Sequence, residues 1–228
     1  MKEKASRALT IAVDADIRVS ALFQAPDNAR ACYVLAHGAG AGMTHPFMAA
    51  LAAELSLRDV ATLRYQFPYM ERGSGRPDAP KLAHATVRAA VAAATGLAPG
   101  LALIAGGKSF GARMTSQAQA LDPLPRVAGL AFVGFPLHPP KKLSIERAEH
   151  LFGVRVPMLF LQGTRDELAE RRLMAEMVDR LGALSEIEWF DDADHAFHVR
   201  KSSGSSDAQV LAGLAQAIAD FAARLRGS

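Results

Sequence analysis

Short apolar runs alternate along the chain with segments in which apolar residues recur at helical spacing. The run at 31–36 has no polar alternation, as expected of a strand buried on both faces. The same reasoning predicts further strands at 60–65, 101–105, 127–133, 158–161 and 187–190, and helices at 46–57, 81–97, 110–121, 167–181 and 206–226. Upstream, 9–13 and 17–25 are strand-like and flank a turn at 14–16, which predicts an antiparallel pair.

The remaining segments are predicted to be connections. Residues 66–80 are rich in Pro, Gly and aromatics and predict a long loop, and the prolines of 134–140 exclude regular structure there. A short helix is predicted at 144–151, and the Ser/Gly-rich stretch 202–206 is a loop. Strands that alternate with helices of this length predict an α/β fold with a mostly parallel sheet, an antiparallel N-terminal pair and helices on both faces. We find no repeat and no linker, so 1–228 is predicted to be one domain.

Composition limits the class of protein. Of the 228 residues, 50% are hydrophobic and 21% charged, which is typical of a globular chain. The net charge of +3 is small and the basic residues are scattered, so no nucleic-acid partner is expected. No apolar stretch approaches the roughly 20 residues of a membrane span, and the polar start at 1–7 does not resemble a signal peptide. We therefore expect a cytoplasmic protein in which the single cysteine, Cys32, is a small buried hydrophobe.

The segment between the predicted strand at 101–105 and the next helix carries the main chemical signal. Gly107, Ser109 and Gly111 form a G-x-S-x-G motif, and a strand–turn–helix context is what a nucleophile elbow requires. A chain with 18 glycines can match this pattern by chance, but the context favours function. Side chains at the flanking glycines would collide with neighbouring backbone in such a turn, and Ser109 would project beside a helix N-terminus that favours negative charge.

Two nucleotide-binding motifs can be excluded. A P-loop that ends at Lys108 would need glycine where the chain has Ala102, in a segment predicted to be a strand. The dinucleotide fingerprint that could start at Gly38 fails because its third glycine is replaced by Met43.

A serine nucleophile needs a base. Where the serine stands on a nucleophile elbow, an acid and then a histidine follow it along the chain. Asp166 lies just past the strand at 158–161, and His195 lies in the loop after the last strand. All three residues follow strand carboxyl ends, where parallel sheets place their sites. Asp166 could also cap the helix that begins near 167. Asp192 and Asp194 are the alternatives for the acid, and His198 is the alternative for the base.

An acyl-transfer site also needs donors for the oxyanion. One should be the N–H of Phe110, the residue after the nucleophile, and the second should come from the glycine-rich loop after the strand at 31–36, which we assign to Ala39. The histidines and carboxylates show no metal-ligand spacing, so no metal and no cofactor are expected.

These residues together resemble the α/β-hydrolase superfamily over nearly the whole chain, and within it the compact, dienelactone-hydrolase-like members. The chain looks closer still to a subgroup of predicted hydrolases that includes the hydrolase-like domain of a subunit of the NSL histone-acetyltransferase complex and a testis-expressed relative. The matching segments are 35–40, 64–72, 106–113, 134–140, 163–166 and 193–195. The resemblance implies a triad of Ser109, Asp166 and His195. Dienelactone hydrolases use a cysteine nucleophile, so their lactone activity should not be carried over.

The predicted activity is hydrolysis of a small or medium acyl ester or thioester at a shallow site with a minimal cap. The alternatives are a non-catalytic hydrolase-fold interaction module, a peptidase and an acyltransferase. A small-molecule acyl substrate is the expected partner, and the oligomeric state stays open. Seven side chains are expected to line the substrate site: His37, Tyr65, Phe67, Tyr69, Phe135, Leu137 and His138. For the aromatic residues among them, core packing is the alternative.

Overall fold

The computed structural model describes residues 5–225, in which one eight-stranded sheet runs through the molecule in the order β1-β2-β4-β3-β5-β6-β7-β8. β1 pairs antiparallel with β2, which pairs antiparallel with β4, and every other pairing is parallel. The strands are β1 (Arg7–Ala12), β2 (Arg18–Gln24), β3 (Ala31–Ala36), β4 (Val60–Tyr65), β5 (Ala102–Lys108), β6 (Val127–Val133), β7 (Met158–Gly163) and β8 (Ser185–Phe190).

Helices cover both faces of this sheet, as the sequence predicted. They are α1 (Pro46–Ser56), α2 (Pro68–Glu71), α3 (Pro80–Leu97), α4 (Phe110–Leu121), α5 (Arg171–Leu181) and α6 (Asp207–Leu225), with 3-10 turns at Glu146–Gly153, Gly182–Leu184 and Lys201–Ser203. Residues from α1 and α6 form one buried cluster, and residues from α3, α4 and α5 belong to the other. Cys32 is fully buried in β3, and burial raises the pKa of its thiol to about 12.

Several predicted boundaries were wrong. The loop predicted at 66–80 contains the short helix α2, the helix predicted at 144–151 is a 3-10 turn, and β5 continues for three residues beyond 105. The helix predicted from 167 begins at Arg171, because the Asp166 carboxylate accepts the Leu168 N–H in a turn and the Glu170 carboxylate caps the helix. The end of the helix predicted to reach 226, like the start of the segment 1–7, lies outside the described residues.

The topology brings several connections to one edge of the sheet. The loops that follow β3, β5, β7 and β8 all leave from strand carboxyl ends, where open parallel sheets place ligands. Within residues 5–225, no helix is long and apolar enough to cross a bilayer.

Candidate active site

Ser109 occupies a one-residue turn between β5 and α4. Its backbone has φ 51° and ψ −110°, a conformation that L-residues with a side chain rarely adopt. Strain of this kind persists only where the surroundings impose it, and it is concentrated at functional sites. The turn leaves Ser109 partly exposed at the carboxyl edge of the sheet.

The two glycines of the motif make this turn possible. A Cβ at Gly107 would lie 2.2 Å from the Ala36 carbonyl oxygen, and a Cβ at Gly111 would lie 2.6 Å from the Ala36 Cβ. Both positions face the end of β3 so closely that a side chain would displace its backbone. The predicted collision at the flanking glycines is therefore present at both of them.

A continuous chain of hydrogen bonds joins Ser109 to His195 and Asp166. His195 Nε2 lies 2.9 Å from Ser109 Oγ, and His195 Nδ1 lies 2.7 Å from Asp166 Oδ2. Because an ionised carboxylate only accepts hydrogen bonds, Nδ1 carries the ring proton and Nε2 is left as the acceptor that faces the hydroxyl. The His195 side chain is 28% exposed, whereas that of Asp166 is fully buried.

Asp166 is fixed by more than the histidine. Its Oδ2 also accepts from Gln162 Nε2 at 2.6 Å, and its Oδ1 accepts the Leu168 N–H at 2.8 Å. These donors fix the plane of the carboxylate. Asp166 is not the N-cap of the following helix, since Glu170 takes that role.

The alternative acids and the alternative base have other partners. Asp192 pairs with Arg200 and Arg165, and Asp194 Oδ1 accepts two N–H groups of its own loop. His198 pairs with Asp207 at 2.7 Å on an exposed surface, so it is His195 that the structure places at Ser109.

Lys108 supports the histidine loop from the position before Ser109. Its ammonium donates to the backbone carbonyl of His195 at 2.6 Å and lies 5.4 Å from the centre of the Phe197 ring. Burial lowers the pKa of this lysine to about 8, against the attraction of Asp166 and Asp194. The loop that carries His195 is therefore tied to the strand that carries Ser109.

Two backbone N–H groups are available near the hydroxyl. Phe110 is the first residue of α4, where N–H groups lack intrahelical acceptors. The Ala39 N–H makes no hydrogen bond among residues 5–225, and Ala39 lines the same cavities as Ser109. Both N–H groups are therefore candidate donors for an oxyanion hole, which needs backbone donors beside the nucleophile.

The loop that carries Ala39 rests on buried aromatic side chains. His37 Nε2 accepts the Phe67 N–H at 3.1 Å, and the Tyr69 hydroxyl accepts the Gly40 N–H at 3.2 Å. The Phe67 ring meets the Phe110 ring edge-on at 5.2 Å. Burial lowers the pKa of His37 to about 4, which keeps this interior ring neutral.

The side chains expected to line the substrate site lie in the interior, and that prediction was wrong. All seven side chains are at most 1% exposed, and none lines either cavity beside Ser109. This favours the alternative of core packing. The seven residues are His37, Tyr65, Phe67, Tyr69, Phe135, Leu137 and His138. His138 illustrates the reason, because its Nε2 accepts the Glu170 N–H and thereby holds the start of α5.

Two open cavities meet at Ser109. One, of about 360 Å³, is mainly apolar and is lined by His45, Phe47, Met48 and Lys108 as well as by His195. The other, of about 340 Å³, contains two arginines among prolines and other apolar side chains. Ala39 and Leu168 border both cavities.

Sequence reasoning missed most of these lining residues. Arg113 could have been found, because it lies four residues after Ser109 and therefore on the same face of α4. His45 Nδ1 accepts the Phe47 N–H as the cap of α1, and the His45 side chain also borders the apolar cavity. Arg147 gave no signal in the sequence, since only the folded chain brings it to this edge.

A second serine–histidine contact lies elsewhere on α4. Ser116 Oγ is 2.8 Å from His150 Nε2, and the hydroxyl donates to the Arg113 carbonyl. Burial, together with Arg113 and His84, lowers the pKa of His150 to about 4. Among the described residues, no carboxylate orients the His150 ring. Residues 5–225 also contain no group of His, Cys, Asp and Glu side chains that could hold a metal ion.

Comparison with known proteins identifies the family. A family model described as an alpha/beta hydrolase domain matches residues 29–223. The chain belongs to the α/β-hydrolase family. The match covers the sheet from β3 onward and every residue of the hydrogen-bonded chain at Ser109.

Solved structures of other hydrolases share this fold over almost their whole length. A dienelactone hydrolase from Anabaena variabilis superposes with a TM-score of 0.75 at 18% identity, covering 96% of this chain and 97% of its own. An α/β serine hydrolase without lid from Xanthomonas campestris gives 0.73 at 16% identity, with 97% of each chain covered. An esterase domain from Rhodothermus marinus gives 0.72 at 16% identity, covering 98% and 99%. At these identities the likeness concerns the fold alone.

Proposed function

We propose that this α/β hydrolase is a serine hydrolase that cleaves small or medium acyl esters or thioesters through Ser109, His195 and Asp166. The observation that carries the proposal is the chain of two hydrogen bonds, of 2.9 and 2.7 Å, that links the hydroxyl, the imidazole and the carboxylate. A serine hydroxyl is a weak nucleophile until a base of this kind takes its proton.

Acylation follows from the positions of these atoms. His195 Nε2 takes the proton of Ser109 Oγ as the oxygen attacks the substrate carbonyl carbon, and the carbonyl becomes an oxyanion held by the N–H groups of Ala39 and Phe110. Asp166 keeps the ring in the correct tautomer and stabilises the imidazolium. When the tetrahedral intermediate collapses, His195 returns the proton to the departing alcohol or thiol, and the acyl group stays on Ser109.

Deacylation repeats the same proton transfers with water. His195 removes a proton from the attacking water, the oxyanion forms again in the same place, and the proton passes to Ser109 Oγ as the acid is released. A single donor of an oxyanion hole is worth about 10²–10³ in turnover, so the Ala39 and Phe110 N–H groups account for a large part of the expected rate.

The cavities support a substrate of modest size. Each is close to the lower end of the roughly 300–1,000 Å³ usual for small-molecule sites. The apolar cavity lined by Phe47 and Met48 suits the hydrocarbon part of an acyl or leaving group. We also propose that the protein belongs to the subgroup of predicted hydrolases related to the NSL-complex subunit. We further propose that it is located in the cytoplasm, which subcellular fractionation of the source cells tests.

A fluorophosphonate probe tests the proposal. It should label the protein at one residue, and Ser109→Ala should abolish both the labelling and the hydrolysis of p-nitrophenyl acetate and butyrate. Ser116→Ala is the matched control, because it removes the hydroxyl of the other serine–histidine contact, and labelling should persist in it.

Other outcomes would point to other functions. A folded protein with neither labelling nor turnover would contradict the proposal and favour a hydrolase-fold interaction module. Turnover of peptides in preference to esters would indicate a peptidase. Product partitioning towards an added alcohol or amine at low concentration would indicate an acyltransferase.

A further inference from the structure

Two arginines that have no acidic partner among residues 5–225 lie in the smaller cavity beside Ser109. Arg113 and Arg147 both line it, and Arg147 lowers the pKa of Arg113 in addition to the effect of burial. The two guanidinium groups therefore lie close enough to repel each other. Arginine stays protonated in proteins, so the cavity carries two positive charges.

Nothing in the described chain neutralises these charges. No carboxylate of residues 5–225 lies within 4 Å of either arginine, and the Arg113 Nε–H is buried without a hydrogen-bond partner. Asp78 also lines the cavity, but its carboxylate already accepts the Tyr69 N–H and pairs with Arg72. Like charges that are partly buried and unpaired are costly, and they are typical of a place where an anionic ligand binds.

Arg113 is well placed to reach a molecule bound at the nucleophile. Its N–H bonds to the Ser109 carbonyl, so it stands one turn, about 6 Å, further along α4 on the same face. Side chains on a helix lean towards its N-terminus, which directs Arg113 back towards Ser109. The rest of the wall is largely apolar, with Pro77, Pro136 and Leu168.

We propose that Arg113 and Arg147 bind a carboxylate carried by the substrate, so that the preferred substrate is an ester or thioester with a free carboxyl group a few bonds from the scissile carbonyl. This inference rests on the proposed function and narrows its substrate class. A planar carboxylate accepts two parallel hydrogen bonds from a guanidinium, and the second arginine supplies a further donor. The negative charge of the bound carboxylate offsets the repulsion between the two guanidinium groups. The apolar cavity on the other side of Ser109 then receives the uncharged part of the same molecule.

Matched pairs of substrates test this assignment on each side of the ester bond. For the acyl side, we compare mono-p-nitrophenyl pimelate with its terminal amide; for the leaving-group side, 4-acetoxybenzoate with 4-acetoxybenzamide. The wild-type protein should favour the carboxylate in at least one pair by about tenfold or more in kcat/KM, as expected for a partly desolvated charge pair. That ratio should fall towards one in Arg113→Met and in Arg147→Met, and Arg113→Lys should retain part of it.

Controls separate binding from general charge. Lys142→Met removes an exposed positive charge between β6 and β7 that does not line the cavity, and it should leave the ratio intact. Glutarate should also inhibit the wild-type hydrolysis of a neutral ester competitively and more strongly than glutaramide, a test that does not depend on how the variants fold.

The results distinguish the two proposals. If the wild-type protein hydrolyses neutral esters and labels at Ser109 but shows no preference for either carboxylate, this inference is wrong and the proposed function stands. A preference that survives unchanged in both arginine variants would also overturn it. If neither labelling nor turnover occurs, it is the proposed function that fails.

Discussion

Replacement of Lys108 by methionine separates the stability of this site from its activity. The variant keeps the length of the side chain and removes the ammonium that donates to the His195 carbonyl at 2.6 Å. The backbone of the histidine loop then loses its tie to β5, while the hydrogen bonds of the imidazole itself are left in place. We expect kcat for a neutral ester to fall about tenfold, because small displacements of a catalytic group are costly.

The effect on stability should be in the opposite direction. Burial lowers the pKa of Lys108 from 10.5 to about 8, which corresponds to about 3 kcal/mol against the ammonium in the folded state. Methionine removes this cost and loses a hydrogen bond of about 1 kcal/mol and a cation–π contact of about 0.5–1 kcal/mol. At pH 7 we therefore expect Lys108→Met to be more stable than the wild type by about 1–2 kcal/mol.

The difference should disappear at high pH. Below pH 8 the lysine is charged in both states and its burial cost is fully present. Between pH 8 and 10.5 the unfolded chain holds a proton that the folded protein has released, so wild-type stability rises with pH, whereas Lys108→Met gains nothing at this position. Near pH 10.5 the variant should be no more stable than the wild type.

Urea denaturation at pH 7 and at pH 10.5, together with ester kinetics at pH 7, measures both effects. Lys142→Met is the control, since that exposed lysine faces no comparable burial. A loss of more than about 2 kcal/mol at pH 7 would refute the energetic reasoning, because that exceeds what the lost contacts are worth. An unchanged kcat would show that the Lys108–His195 contact does not position the imidazole.

Two further predictions concern Asp166 and Gly111. Asp166→Asn should lower kcat for p-nitrophenyl butyrate by about 10³–10⁴ without unfolding the protein, because His195 then loses the acceptor that sets its tautomer; full activity would exclude Asp166 as the acid. Gly111→Ala should cost about 1–3 kcal/mol in urea denaturation, since its Cβ would lie 2.6 Å from that of Ala36. Gly96→Ala, in an open position of α3, should instead gain about 0.5–1 kcal/mol, and equal effects at the two glycines would contradict the packing argument.

The hydrophobic pattern was sufficient for the architecture, and the G-x-S-x-G motif between a strand and a helix then indicated Ser109. Asp166 and His195 could be found from their positions after strands, because a parallel sheet gathers the carboxyl ends of its strands at one edge. The start of α5 could not be found in this way. The Asp166 carboxylate accepts the Leu168 N–H in a turn, and the helix begins only after that turn, at Arg171.

The substrate walls were harder to predict for a different reason. Tyr65 and Phe67 lie at the start of a Pro-rich segment that resembles an exposed loop, yet both side chains pack in the core. Arg113 and Arg147 lie 34 positions apart in the chain, and neither is unusual in its local sequence. Burial of a loop and the meeting of distant charges depend on the folded chain, and no local pattern reports them.

In the proposed mechanism, the partial exposure of His195 has a consequence for the fate of the acyl group on Ser109. At 28% exposure the imidazole edge is in contact with bulk solvent, and both cavities beside the hydroxyl open outward. A water molecule can therefore reach the ester intermediate without waiting for any part of the chain to move. Such a geometry favours rapid release of the free acid, and turnover should respond little to solvent viscosity.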